Sequence, residues 1–493
     1  MGIGQEIIRK FEKPEEWCYY FPPIGRDDLK KFGVYVDFDR SFITTSLNPY
    51  YDSFIRWQFN TLKERGYLKF GRRPSIFSPK DKQMCADHDR AEGEGVVPQE
   101  YTLIKIEVIE QNAIMKEKLE GKRVFLVAAT LRPETMYGQT NCYLLPEGEY
   151  GAFEMKNGEV YICSDRSARN MAFQGLTHEE GEVKKLATFK GQDILGLPLK
   201  APLSKYEKVY SLPMMTISMD KGTGVVTSVP SDAPDDWAAL SDLKNKKPLR
   251  EKFGITDEMV AFDPVEIINI PGFGNLSALK ACEDLKIKGQ NDKALLAQAK
   301  DLCYKKGFYE GKMLVGKYVG AIVKDAKDLV KKDLLETGEA ATYYEPAEKV
   351  VARSGEDCVV SFIDQWYLNY ADEKWKQAVR DHLKNFKTNT PNVHKEFELT
   401  VDWIHEWGCS RSFGLGTKIP FDERYLIESL SDSTIYMAYY TIAHMLQGDI
   451  NGRTPGLLGI KASDLSDEVW NYVFLRRDYK QCHVPEYKLK QMR

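Results

Sequence analysis

The spacing of apolar residues predicts a helix near the start of the chain. Residues 49–66, PYYDSFIRWQFNTLKERG, carry Tyr51, Ile55 and Phe59 on one face, begin with a proline and end at a glycine. A repeat of three to four residues between those two signals is typical of an amphipathic helix. The polar, glycine-bearing residues 80–97 that follow predict a loop.

Between about residues 101 and 230 the pattern changes to short apolar runs rich in Val, Ile, Tyr and Phe. Gly, Pro and Asp residues separate the runs, which is typical of strands joined by turns. The predicted strands lie within residues 101–109, 124–130, 158–164, 208–218 and 223–229. This part of the chain is therefore predicted to be a compact β-rich domain.

Helical spacing returns after this region. Residues 291–306 are predicted to form a helix that stops at Gly307, and residues 322–336 are predicted to form another. After about residue 346 the chain is rich in aromatic residues and mainly helical, with a short strand at 358–363. The pattern indicates a β-rich module placed inside a mixed α/β framework.

Composition narrows the class of protein and leaves its partners open. A chain of 493 residues with 43% hydrophobic and 29% charged residues is predicted to be globular, with two or three domains. Its net charge of −4 neither requires nor excludes a nucleic-acid partner. The nine cysteines form no C-x-x-C pair, which predicts free thiols. The sequence has no apolar run near ~18 residues and no apolar leader, so the protein is predicted to be cytosolic.

Familiar nucleotide and metal motifs are incomplete. GFYEGKM at 307–313 lacks the spacing and the hydroxyl residue of a phosphate-binding loop, and GFGNLS at 272–277 lacks the third glycine of a dinucleotide motif, so both are predicted to be turns. Cys85 and His88 have a plausible ligand spacing but no second pair of ligands, so no metal site is predicted.

Two polar clusters lie at predicted strand ends. In VFLVAATLRPETMYGQTN (124–141) the apolar run ends in threonines, and in DKGTGVVTSVPSDAPDD (220–236) three aspartates follow a strand. The threonines could simply satisfy their own backbone, and Asp232 or Asp235 could cap a helix starting near Trp237. Alternatively, several carboxylates at a strand end could hold an ammonium group through charge-assisted hydrogen bonds.

Together these two motifs resemble the editing domain of cytosolic leucyl-tRNA synthetases of the eukaryotic and archaeal type. The similarity extends over nearly the whole chain, including VDFDRSFITTSLNPYYDSFIRWQF at 36–59 and CSRSFGLGTKIPFDERYLIESLSDSTIYMAYYTIAHML at 409–446. It implies an α/β fold: a split class I framework of Rossmann type, interrupted by a β-rich, β-barrel-like α+β editing domain.

The resemblance also implies a division of the chain. Residues 1–97 and 347–493 resemble the two halves of the catalytic framework, and residues 98–346 resemble the editing domain, with a helical insertion at about 273–336. The family's His-x-Gly-His and Lys-Met-Ser-Lys-Ser signatures do not occur in this sequence. We therefore expect that activation of leucine with ATP needs residues outside this chain.

The family's functional residues map onto both clusters. Thr130 and Thr135 are expected to flank the aminoacyl ester, with Thr135 blocking a leucine side chain, and Asp236 is expected to anchor the α-ammonium group. Arg132, Asp232, Asp235 and Thr223 complete the expected substrate-binding set, and Arg132 and Glu134 are expected to brace the loop. Water would attack the ester, oriented by hydroxyls, backbone groups and the terminal ribose of the tRNA.

The implied function is that of a leucine–tRNA ligase, in part, whose editing site hydrolyses misacylated tRNA(Leu). Editing is expected to need no cofactor, whereas the complete enzyme would use ATP, Mg²⁺ and leucine. The implied partner is tRNA(Leu), with a complementary synthetase chain as a further candidate. The alternative is a catalytically silent fragment that only binds tRNA or such a chain.

Overall fold

A computed structural model describes residues 2–493, and the chain divides into two compact units. The first comprises residues up to Arg73 together with residues from Ile363 onward, and the second comprises Pro74–Phe362. The predicted domain borders after residues 97 and 346 both fall inside the second unit and stay a prediction. No helix among residues 2–493 is long and apolar enough to span a membrane.

The first unit is mainly helical. A core of aromatic and aliphatic side chains, among them Tyr51, Phe54 and Trp470, packs around the helix Pro49–Glu64. That helix matches the one predicted at 49–66, and Asn48 caps its start by accepting from the backbone N–H groups of Tyr50 and Tyr51. The other helices are Gln5–Lys10, Pro14–Phe32, Glu373–Leu383, Pro391–Trp403, Ser429–Ser433, Tyr436–Tyr440, Ala443–Leu446, Asp467–Phe474 and Glu486–Met492.

Short strands accompany these helices. The chain passes between the units within two longer strands, Leu68–Ser78 and Val359–Asn369, and the latter extends the strand predicted at 358–363. The remaining strands of the first unit are Glu406–Gly408, Ser410–Arg411 and Leu426–Ile427.

The second unit contains a ten-stranded sheet, and each of the five predicted strands lies in it. The order is Val225–Ser228, Asn141–Leu144, Val209–Pro213, Pro198–Lys200, Pro98–Val108, Val124–Thr130, Val160–Cys163, Glu149–Glu154 and Lys184–Lys190, with Ala340–Pro346 also paired to Pro98–Val108. Two pairs in this sheet are parallel: Val209–Pro213 with Asn141–Leu144, and Val124–Thr130 with Val160–Cys163.

The second unit also contains helices and short strands outside this sheet, and one of the strands, Gln83–Met84, pairs with Leu68–Ser78. The helices are Ala113–Leu119, Asp165–Ala172, Pro234–Asn245, Lys247–Lys252, Ser277–Asp284, Lys293–Glu310 and Val323–Glu336. The minor strands are Gln83–Met84, Arg90–Glu92, Ile268–Asn269, Lys312–Met313 and Val351–Ala352. The first two of these lie within residues 80–97, so the prediction of a continuous loop there was wrong.

The helix predicted at 291–306 is longer than expected. It runs from Lys293 to Glu310, so Gly307 does not end it. A Cβ at Gly307 would lie 2.9 Å from Cδ1 of Ile270, so the glycine allows close packing there. The helix Val323–Glu336 agrees with its prediction. The turn predicted at 307–313 occurs after Glu310, and the turn predicted at 272–277 occurs at Ile270–Gly274.

Candidate functional site

A cavity of about 780 Å³ lies in the second unit, beside one end of the large sheet. All of the site residues predicted from the sequence line it, although they come from segments up to about a hundred positions apart. They are Thr130, Arg132, Thr135, Thr223, Asp232, Asp235 and Asp236. The structure therefore brings the two polar clusters into one site.

The curvature of the sheet brings the two polar clusters together. Strands Val124–Thr130 and Val225–Ser228 are not neighbours in the strand order, yet they lie against each other in space. A Cβ at Gly222, just before the second strand, would lie 3.9 Å from the Cβ of Ala129 in the first. The threonine cluster at the end of one strand therefore faces the residues that lead into the other.

The segment Thr130–Thr135, which we call the threonine loop, is held by hydrogen bonds within itself. The Oγ1 atom of Thr130 accepts a hydrogen bond of 3.0 Å from the backbone N–H of Arg132. The Thr135 hydroxyl donates to the carbonyl oxygen of Arg132 at 2.8 Å, and the Thr135 N–H donates to the same oxygen at 3.1 Å. Both hydroxyls do satisfy local backbone groups, and both side chains nevertheless line the cavity.

The Arg132 side chain links the threonine loop to the second cluster. Its guanidinium pairs with Asp232, its Nε lies 3.3 Å from Oε1 of Glu134, and it lies 4.6 Å from the ring centre of Tyr304. Burial alone would lower the pKa of Arg132, but Asp232 and Glu134 outweigh that effect and raise it. Arg132 therefore stays charged and holds Asp232 in an ion pair.

Glu134 is fully buried beneath this arginine. Burial raises the pKa of its carboxyl group, while the positive charge of Arg132 opposes the rise. Its Oε2 atom and the Nη2 atom of Arg132 are both buried, and neither has a hydrogen-bond partner among the described residues. The geometry agrees with the predicted bracing of the loop by this pair, which stays a prediction.

The three aspartates have three different environments. Asp232 pairs with Arg132, and Asp235 forms a 2.9 Å ion pair with Nζ of Lys300. No lysine or arginine among residues 2–493 forms an ion pair with Asp236, whose Oδ2 accepts a 2.7 Å hydrogen bond from the backbone N–H of Val229. Burial raises the pKa of Asp236 to about 7.

The capping alternative for the aspartates is wrong. The helix runs from Pro234 to Asn245, its N-cap residue is Ala233, and no side chain caps it. Proline at the first helical position has no N–H group, which removes one of the donors a cap would satisfy. Asp235 and Asp236 lie within the first turn, where the positive end of the helix dipole favours negative charge.

Several cavity residues were not predicted from the sequence. Four belong to the segment that carries helix Lys293–Glu310, and the others come from the strand Pro98–Val108 and from the turn before Val225. They are Gln290, Lys293, Lys300, Tyr304, Tyr101 and Lys221. The helix itself was predicted, but neither its amphipathic pattern nor its distance along the chain from the threonine loop indicated which face meets the cavity.

Comparison with known proteins identifies the family. The family model described as tRNA synthetases class I (I, L, M and V) matches residues 5–437. The chain belongs to this family. The cytoplasmic leucine–tRNA ligase of Dictyostelium discoideum is 54% identical to it over 499 residues, covering 100% of this chain and 47% of the relative. The corresponding protein of Pongo abelii is 52% identical, with 100% and 42% covered.

A solved structure, the P. knowlesi cytosolic leucyl-tRNA synthetase editing domain, is 30% identical and covers 50% of this chain and 97% of that one, with a TM-score of 0.47. The match to the class I family and the high identity to leucine–tRNA ligases confirm the resemblance and the fold class predicted from the sequence. This class I synthetase chain spans about half the length of the curated relatives it matches.

Proposed function

We propose that the cavity is an editing site that hydrolyses the ester of a misacylated tRNA(Leu). The observation that carries the proposal is that one cavity is lined by Thr130, Thr135 and Asp236 together. A site for an aminoacyl ester needs an anion for the α-ammonium group, a wall that limits the side chain and room for the terminal nucleoside. A volume of about 780 Å³ is in the range of pockets that enclose small ligands.

Asp236 is the proposed anchor for the α-ammonium group. Asp232 and Asp235 already hold cations of the protein, whereas the carboxylate of Asp236 is held by a neutral backbone donor. An incoming ammonium group would therefore supply the missing opposite charge in a buried place, where such a pair is strong. Asp232 and Asp235 would then support the site by setting the positions of Arg132 and Lys300.

Thr135 is the proposed barrier to a leucine side chain. Its χ1 angle is restricted by branching at Cβ and by the hydrogen bond to the Arg132 carbonyl oxygen, so its methyl group is held in one position. A fixed wall is required because a single binding pocket separates near-isosteric side chains by only about 1–3 kcal/mol, a magnitude established on the sister synthetases for isoleucine and valine. A second site that rejects leucine increases this discrimination.

The proposed reaction is attack of water on the ester carbonyl. Neither a histidine nor a cysteine is among the residues that line the cavity, so the lining offers no thiol or imidazole as nucleophile. The lining hydroxyls and backbone groups would orient the water and the ester, and catalysis would depend on position and electrostatics. The ester oxygen would leave with the terminal ribose of the tRNA.

For the whole protein we propose leucine–tRNA ligase activity in the cytoplasm, with tRNA(Leu), leucine, ATP and Mg²⁺ as its substrates and cofactors. The proposal rests on the cytoplasmic leucine–tRNA ligases that the chain resembles over its full length. Class I synthetases use ATP to activate the amino acid before its transfer to tRNA. Editing itself would need no cofactor.

The test is deacylation of isoleucyl-tRNA(Leu) and norvalyl-tRNA(Leu) by this chain, with leucyl-tRNA(Leu) measured in parallel. We expect rapid loss of the two wrong amino acids and sparing of leucine. Decay of all three esters at the uncatalysed rate by folded protein would refute the editing proposal. The chain would then act only by binding tRNA or a complementary synthetase chain, which gel-shift and size-exclusion measurements would detect.

A further inference from the structure

One wall of the cavity is a short glycine-containing segment, residues 221–224, which we call the glycine wall. Lys221, Gly222, Thr223 and Gly224 all line the cavity. Gly222 has φ of +64° and Gly224 has φ of +76°, a backbone region that other residues enter only with strain. Glycine enters this region freely but is not confined to it, so contacts with other parts of the fold must fix the conformation of the wall.

A buried carboxylate and a partly exposed guanidinium group provide this support at Gly222. Its backbone N–H donates to Oε1 of Glu345 at 2.9 Å, and its carbonyl oxygen accepts from Nη2 of Arg166 at 2.8 Å. The same Nη2 atom donates to Oε2 of Glu345 at 2.6 Å, which closes the arrangement. Both polar groups of one glycine are thus held by an arginine–glutamate pair.

The pair is built into rigid parts of the second unit. Glu345 is 1% exposed and belongs to strand Ala340–Pro346, and its Oε2 also accepts a 3.0 Å hydrogen bond from the hydroxyl of Tyr343. Arg166 belongs to helix Asp165–Ala172, whose N-cap residue, Ser164, donates its backbone N–H to the carbonyl oxygen of Thr223 at 2.9 Å. Strand and helix therefore hold the wall from two directions.

Neither member of the pair is among the residues that line the cavity. A buried carboxylate is costly unless it is paired and hydrogen-bonded, and Glu345 meets that condition by binding the wall. Glu345 and Arg166 would thus affect a bound substrate only indirectly, by holding Gly222 and Thr223 in position.

We propose that Glu345 and Arg166 are positioning residues of the editing site, which hold the glycine wall at the distance that a tRNA ester requires. The inference rests on the proposed editing function. The wall would shape the space around the bound substrate without supplying a group that acts on the ester carbonyl, so it would contact the ground state and the transition state equally. Loosening it should therefore raise KM and leave kcat nearly unchanged.

The experiment compares Glu345→Gln and Glu345→Ala with the unaltered full chain. The glutamine side chain would retain an oxygen that can accept from the Gly222 N–H but would lose the ion pair, whereas the alanine side chain would lose both. We expect KM for isoleucyl-tRNA(Leu) to rise about 3-fold in Glu345→Gln and about 10-fold in Glu345→Ala, the scale of one ordinary intramolecular hydrogen bond, with kcat within about twofold. Backbone amides of residues 221–224 should exchange hydrogen faster in the same order.

The matched control is Glu356→Gln. It breaks an arginine–glutamate pair with Arg169, which lies in the same helix as Arg166, and Glu356 does not line the cavity. We expect unchanged KM and unchanged exchange at residues 221–224. A purely structural role for Glu345 would lower the fraction of folded protein but leave the KM of that fraction unchanged.

The outcomes separate this inference from the proposed function. If the unaltered chain hydrolyses the wrong esters while both Glu345 variants keep its KM and its exchange rates, the positioning role is refuted and the editing function stands. If the unaltered chain hydrolyses no ester, editing fails, and the exchange rates alone decide whether the pair holds the wall. Faster exchange in both variants would support that role, and unchanged exchange would refute it.

Discussion

The threonine loop and the aspartate cluster face each other across one cavity, but they are held in different ways. The hydroxyls of Thr130 and Thr135 bond to the backbone of Arg132, within the same loop. The aspartates depend on distant partners: Asp232 on Arg132 and Asp235 on Lys300. A loop that is stabilised locally can act as a fixed wall. In a cluster held by distant charges, each carboxylate can have its own partner and therefore its own role.

The first prediction, and the largest expected effect, concerns Asp236, the one aspartate of the cluster without a cationic partner. Asp236→Asn keeps an oxygen that can accept from the Val229 N–H but removes the charge. We expect kcat/KM for isoleucyl-tRNA(Leu) to fall about 100-fold, the upper range for a hydrogen bond to a charged group. Deacylation kinetics measure this, and Asp257→Asn, an exposed aspartate paired with Arg250, should keep normal activity. A loss below about threefold would place the ammonium anchor elsewhere.

The second prediction tests whether the threonine loop is a steric wall. Thr135→Ala removes the methyl and hydroxyl groups, and we expect deacylation of leucyl-tRNA(Leu) to rise about 30-fold, within the range for one misfitting methyl group. Thr135→Val keeps the branched shape but loses the 2.8 Å hydrogen bond to Arg132.

The valine variant distinguishes two roles of Thr135. Sparing of leucine by Thr135→Val would show that shape alone provides the barrier. Loss of sparing in both variants would show that the hydrogen bond must hold the side chain in place. Unchanged leucine sparing in Thr135→Ala would remove Thr135 from the sieve altogether.

The third prediction uses the acidity of Asp236. Burial raises its pKa to about 7, so the carboxylate becomes charged as pH rises through that value, and binding of an ammonium group strengthens in the same direction. We expect kcat/KM for a wrong ester to rise about 8-fold between pH 5.5 and 6.5, a range in which the α-ammonium group of the substrate keeps its own proton. Asp235→Asn should keep this rise and Asp236→Asn should lose it.

The raised pKa of Asp236 has the opposite effect on stability: as pH rises, activity is expected to increase and the free energy of unfolding to decrease. Because the folded state binds this proton more tightly than the unfolded chain, the contribution of Asp236 to stability is present at low pH and is lost as pH rises to about 7. Asp236→Asn should therefore reduce the pH dependence of the unfolding free energy between pH 4 and 7. Urea unfolding at several pH values measures this, and an unchanged dependence would contradict the shift.

The smallest effect is expected at the rim of the aspartate cluster. Lys300 is partly exposed, so its ion pair with Asp235 is screened by water. We expect Lys300→Met to change kcat/KM by less than about threefold, since exposed ion pairs contribute little. Lys305→Met, an exposed lysine of the same helix, is the control. A loss above about 10-fold in Lys300→Met alone would show that Lys300 contacts the substrate.

Much of the secondary structure followed from local pattern. The helix Pro49–Glu64 and the strand Val124–Thr130 agree with the apolar spacing and the terminal residues that predicted them. The errors arose where packing overrode a local signal. Gly307 was expected to end a helix, but its missing side chain lets Ile270 approach, and the helix continues to Glu310.

The sequence alone indicated the threonines, the arginine and the aspartates of the candidate site, because a run such as LRPETMYGQTN and its aspartate counterpart are specific to a family even without coordinates. It did not indicate the cavity residues that helix Lys293–Glu310 contributes. The tertiary structure decided how the environments of the three aspartates differ. Asp232, Asp235 and Asp236 are close in the sequence, and only the folded arrangement of Arg132, Lys300 and the Val229 N–H separates their environments. The physical reason is that a carboxylate's charge and acidity depend on its burial and its nearest partners, and distant segments supply both.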